Sequence, residues 1–165
     1  MRLGVLLCAA AVLWPAAAAE SQQPLKAICE RLCGVWGPEA PSGDIPHYRL
    51  ELAYDEAAGE IRGVKTSTGW TGGGAASTVK IGFRQDASGE MWFFAEQPGV
   101  GKLESIVAVD DDGGLRIVGM APGKPDLVSV TLLTFPAPDR LHEVLAESGQ
   151  QYNATISETD YAREK

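Results

Sequence analysis

The chain has 165 residues, with 22 acidic against 14 basic side chains and a formal charge of −8. That balance argues against nucleic acid and against anionic lipid surfaces, both of which select basic patches. The length suits one domain able to bury a single good core.

The N-terminus reads Met1-Arg2, then an apolar run from Leu3 to Trp14, then alanines ending in Ala17-x-Ala19 before Glu20. One positive charge, a short apolar core and a small-residue cleavage site are the three parts of a secretory signal peptide. The apolar run is too short for a spanning helix, which needs about 20 residues. Residue 7 is Leu, not the small residue that lipid attachment at Cys8 requires. Cleavage is therefore expected near Ala19/Glu20, with residues 1–19 the signal and 20–165 one mature domain. Losing Arg2 leaves 13 basic and 22 acidic groups, a charge of −9. The expected location is periplasmic or extracellular, with no membrane span after cleavage.

Glu20–Pro24 is a polar leader. Leu25, Ile28, Cys29 and Leu32 then share one helical stripe, and Gly34 stops the helix. Cys29 and Cys33 are spaced C-x3-C, so a helix brings them together, and an oxidising compartment favours a disulfide. A metal or free-thiol site is the alternative: thiolates with His47 or His142 would suit copper. A C-x-x-C redox site does not fit, because the spacing here is one residue longer, and a C-x-x-C-H haem site does not fit, because Gly34 stands where that His would be.

Gly37–Pro46, rich in Pro and Gly, is a loop. Beyond it the apolar period becomes two. Strands are expected at Tyr48–Tyr54, Glu60–Ser67, Val79–Phe83, Glu90–Glu96, Leu103–Asp110, Leu115–Ala121, Val128–Leu132, Arg140–Glu147 and Gln151–Ser157. Ile61 and Val64 are out of phase, which suggests a bulge near Gly63. In Val128–Leu132 the valines and Leu132 form the apolar face. In Met91-Trp92-Phe93-Phe94 one face is core, and the other meets the helix or lines a cavity. Asp or Ser with Gly marks the turns at 55–59, 86–89, 112–114 and 148–149. Strands at this rhythm, with no helix between them, form an antiparallel meander, and closing it removes the exposed edges. The expected fold is all-β: an antiparallel up-and-down barrel of about 8–9 strands behind a short helix.

The helix runs into Cys33-Gly34-Val35-Trp36, and Tyr161-Ala162-Arg163 stands just before Glu164 and Lys165. A helix followed by G-x-W at the start of a barrel resembles the lipocalin and wider calycin group. The likeness is closer to short bacterial barrels of this shape than to secreted animal lipocalins. It implies that Trp36 plugs the barrel floor with Arg163 stacked on it.

A small barrel can hold one ligand. The expected function is binding of a small, mostly apolar ligand by an exported monomer. Tyr48, Leu50, Leu52, Phe83 and Trp92 are the expected lining. Trp70, between glycines in Thr68–Ala76, is a candidate lid, since loops often carry function. His142 would be a lone ionisable group inside the barrel if its face points inward, and could then ligate haem iron. An envelope protein–protein interaction module with a filled barrel is the alternative. Asp110–Gly113 lacks the ligand spacing of a calcium loop and reads as a hairpin turn. Neither a G-x-S-x-G elbow nor H-E-x-x-H is present, so no catalytic residue, resident metal or cofactor is assigned and no enzymatic activity is expected.

Overall fold

The computed structural model describes residues 23–39, 47–68, 77–99, 101–121, 124–149 and 152–165. The signal segment lies outside them, as does the loop carrying Trp70.

Helix α1 spans Gln23–Leu32. Ten strands follow: β1 (Gly34–Pro38), β2 (His47–Asp55), β3 (Glu60–Thr68), β4 (Ser77–Gln85), β5 (Met91–Gln97), β6 (Gly101–Val109), β7 (Leu115–Ala121), β8 (Lys124–Ala137), β9 (Arg140–Gly149) and β10 (Tyr152–Arg163). They close in the order β1-β10-β9-β8-β7-β6-β5-β4-β3-β2, each pair antiparallel. The barrel is thus an up-and-down meander, but with ten strands rather than eight or nine. The five-residue β1 is the added strand, placed between β10 and β2 as the seam of closure.

The turns form for the reasons their residues suggest. Asp55 Oδ1 accepts hydrogen bonds from the amides of Ala57 and Ala58, each at 3.1 Å. Asp86 Oδ1 does the same for Ser88 and Glu90, at 2.9 and 3.0 Å. These side chains mimic a backbone turn and fix the hairpin register.

One end of the barrel is sealed. Helix α1 buries Leu25, Ile28 and Leu32 against β2, β3 and β4. Beneath it lie Trp36, Ile61, Phe83, Leu115, Leu141 and Tyr161, all essentially inaccessible. Each such side chain contributes roughly 1.5–3 kcal/mol through burial. The helix is pinned at its rim as well: the Arg31 guanidinium donates to the Asp112 carbonyl at 2.7 Å and lies over the Phe135 ring. Gly34 ends the helix at φ +139°, a conformation that L side chains rarely adopt. The Cys29 and Cys33 sulfurs are at bonding distance, with Cα atoms 4.7 Å apart, so the pair is a disulfide across the helix C-terminus.

Three local expectations are corrected. No bulge occurs at Gly63; the β2–β3 register runs unbroken from His47↔Thr68 to Asp55↔Glu60. A Cβ at Gly63 would collide with the Glu51 carbonyl, so the glycine permits close strand approach. With no slip, Ile61, Gly63 and Lys65 face inward and Val64 faces out. In β8 the phase is opposite to the valine pattern. Leu127 and Leu133 are buried, so Ser129 and Thr131 share their inner face, and Val128, Val130 and Leu132 lie outside. In β5, Met91, Phe93 and Ala95 point in. Trp92 and Phe94 meet neither helix nor cavity; they lie outside under the cations of Arg84 and Lys102.

Candidate functional site

Above the sealed floor the barrel is hollow. A cavity of about 280 Å³ occupies the lumen. Its wall is mostly apolar. Leu50 and Leu52 come from β2, Ile81 and Phe83 from β4, and Phe93 from β5, with Ile117 and Leu133 on the far side. Phe83 and Phe93 face each other across a strand pair, ring centroids 5.3 Å apart and tilted by 58°. Alternation along the strands produces this lining, because every second residue of a pleated strand faces the same side.

Polar groups interrupt the wall at two levels. At mid-depth Lys65 of β3 reaches across the lumen to Glu143 of β9, its Nζ 2.7 Å from both carboxylate oxygens. The Tyr161 hydroxyl donates to Glu143 Oε2 at 2.6 Å, and Lys65 Nζ lies 4.8 Å from the centre of the Tyr48 ring. Burial pulls the Glu143 carboxyl upward. The adjacent Lys65 charge, its hydrogen bonds and that of Tyr161 outweigh burial and hold the group below the usual range. Burial, then the neighbouring carboxylate, pushes the Tyr161 phenol well above its ordinary value. Nearer the end opposite the helix, where strands finish at Gln97 and Gly149, the lining carries Gln97, Ser129 and Glu147.

The floor is built where β1 meets β10. The Arg163 guanidinium lies 4.4 Å from the Trp36 ring centre. Arg163 also donates to the Cys33 carbonyl at 3.0 Å, while the Trp36 indole donates to the Leu32 carbonyl at 2.9 Å. Trp36 and Arg163 are directly paired across β1 and β10. This contact closes the barrel and seals one end of the lumen.

Of the residues singled out from sequence, Leu50, Leu52 and Phe83 line the cavity, and Tyr48 sits beside it under Lys65. Trp92 and His142 do not, because their neighbours on the strand take the inner face. Trp92 donates from its indole to Asp86 Oδ2 at 3.1 Å on the outside. His142 lies outside with Nδ1 2.7 Å from Asp160 Oδ1, so haem ligation from within the lumen is not open to it. The His47 side chain and Trp70 lie outside the described residues. The disulfide occupies both thiols of the copper alternative. Among the described residues no three His, Cys, Asp or Glu side chains gather around a common point.

Sequence reasoning passed over Lys65, Glu143 and Glu147. The signal was present for two of them. Leu141, Glu143, Leu145 and Glu147 share one parity, so burying the leucines carries both glutamates inward. Lys65 was concealed by the supposed slip at Gly63.

The molecule is therefore a closed antiparallel barrel with one sealed end and an apolar lumen crossed by an ion pair. This is the general architecture of lipocalin-like barrels. No protein-family model matches the chain, and no curated protein matches it significantly.

Proposed function

We propose that this is an exported, lipocalin-like monomer that takes one small, mostly apolar ligand into its barrel. The observation that carries the reading is the 280 Å³ cavity walled mainly by Leu, Ile and Phe. Its volume is at the lower edge of the range for small-molecule sites, roughly 300–1,000 Å³. A ligand of about ten heavy atoms suits it. The apolar wall supplies affinity at ~25 cal/mol per Å² of surface removed from water. Export rests on the N-terminal signal pattern, and the disulfide is compatible with an oxidising compartment. Among the described residues no helix is long and apolar enough to cross a membrane.

Calorimetric titration of the protein with 1-octanol tests the proposal. A saturable, one-to-one isotherm is expected, abolished by Leu133→Trp, which fills the lumen. Absence of saturable binding, or binding indifferent to that substitution, refutes it.

A second reading, a protein-interaction module, draws support from the outer wall. Trp92, Ile106, Val118, Val130, Ala146 and Ile156 stand in register across β5 to β10. Ile156 is 72 % exposed, and Ile106 and Val118 nearly half exposed. Contiguous exposed apolar surface is a mark of docking sites. Capture of a partner from envelope extracts, lost on Val118→Glu with octanol binding unchanged, would favour this role.

A further inference from the structure

We infer that the ligand of the lumen is an organic cation: an apolar body carrying an amine, and not a carboxylic acid. The inference rests on the small-molecule reading above and specifies its polar end.

Among the described residues the ionisable groups lining the cavity are Lys65, Glu143 and Glu147. Lys65 and Glu143 neutralise one another, with Nζ 2.7 Å from both carboxylate oxygens and Tyr161 completing the carboxylate's partners. That leaves Glu147. It is opposite Ser129 on β8 and Thr155 on β10, both uncharged. Among the described residues it has no ion-pair partner. Among the described residues the lumen thus holds one more negative charge than positive, and the excess lies toward the end opposite the helix.

An incoming carboxylate meets two obstacles. Lys65, the one cation among the described lining residues, is already held by Glu143, so a carboxylate ligand pairing with it must displace a buried carboxylate and leave it unpaired, which is strongly unfavourable. It must also approach the like charge of Glu147 in a confined apolar space where Coulomb terms are poorly screened. An ammonium meets the reverse situation. Glu147 offers a charge-assisted acceptor, and the side-chain oxygens of Gln97 and Ser129 offer neutral ones. The apolar body then runs inward toward Phe83 and Phe93, leaving the Lys65–Glu143 pair undisturbed.

The test is a matched series titrated calorimetrically into the full protein: octylamine, 1-octanol and octanoate, at neutral pH. Octylamine should bind at least tenfold tighter than octanol, and octanoate at least tenfold weaker. Glu147→Gln should bring octylamine to within about threefold of octanol measured in the same variant, and Glu147→Lys should reverse the order of amine and acid. Octanoate binding as tightly as octylamine, or an amine preference that survives Glu147→Gln, overturns the inference while leaving the small-molecule reading intact. Failure of all three probes to bind overturns both. Far-ultraviolet circular dichroism verifies that each variant is folded.

Discussion

The ion pair across the lumen makes a sharp energetic prediction. Glu143→Leu removes both 2.7 Å contacts to Lys65 and the acceptor of the Tyr161 hydroxyl. The Lys65 ammonium is left in a site where its side chain is only 25 % exposed. Stranding one member of a fully buried pair costs about 3–5 kcal/mol. The residual exposure and the adjoining cavity admit some water, so the expected cost is ~2–3 kcal/mol. Lys65→Met together with Glu143→Leu removes both charges and replaces them with apolar groups of similar size. Such replacements are often neutral, so the double variant should be about 2 kcal/mol more stable than Glu143→Leu alone. The loss at Tyr161 is common to the single and double variants and cancels between them. Urea unfolding followed by tryptophan fluorescence measures all four corners of the cycle. The single variant should also melt roughly 5–10 °C lower, at about 2–4 °C per kcal/mol for a chain of this size. A double variant no more stable than Glu143→Leu would mean that the two charges are not coupled, and that Lys65 and Glu143 do not meet across the lumen.

Stability should depend on pH at both extremes. Glu143 is held below its ordinary value of 4.5, so the stability it contributes is present above pH 4.5 and is lost as pH falls below it. Tyr161 is displaced upward from 10.0, so its contribution is intact below pH 10 and is lost as pH rises beyond it. Melting temperatures across the pH range check both limbs; Tyr161→Phe should remove the alkaline one, and a fall that persists in that variant argues against its assignment. Gly63→Ala should be far more damaging than an ordinary strand substitution. The added methyl would sit on the Glu51 carbonyl oxygen, well inside contact distance, so a loss of about 3 kcal/mol or more is expected in urea unfolding. A loss below ~1 kcal/mol would show that β2 and β3 can move apart at this point.

Much of the fold was legible because its devices are local. Asp and Gly at the hairpins, alternation within strands and the stripe of Leu25, Ile28 and Leu32 act over a few residues. Each is readable without knowing the rest. The strand count fell short because β1 is only five residues long and owes its place to β10 and β2, which adjoin it only after closure. The lining was half legible. Leu50, Leu52 and Phe83 are apolar residues in clear alternation. Trp92 and the valines of β8 misled for one physical reason: those strands carry apolar residues on both faces, and which face turns inward is decided by register with neighbours. Leu127, Leu133, Met91 and Phe93 won the inner positions. The ion pair was the least visible feature. Lys65 and Glu143 are 78 residues apart, and no local pattern couples them.

The seam between β1 and β10 bears on the order in which the molecule assembles. Every other strand pairing but β1 with β2 joins neighbours across a short turn or loop, and even that one spans only a loop. Trp36 and Arg163 are separated by almost the whole domain. Loop-closure entropy grows as ~(3/2)RT ln n, so bringing these two together costs about 2 kcal/mol more than closing a ten-residue hairpin. Hairpins can therefore zip one after another while the sheet is still an open ribbon. The lumen comes into being only when β10 docks on β1. That one long-range pairing, rather than any single hairpin, decides whether the barrel has an inside.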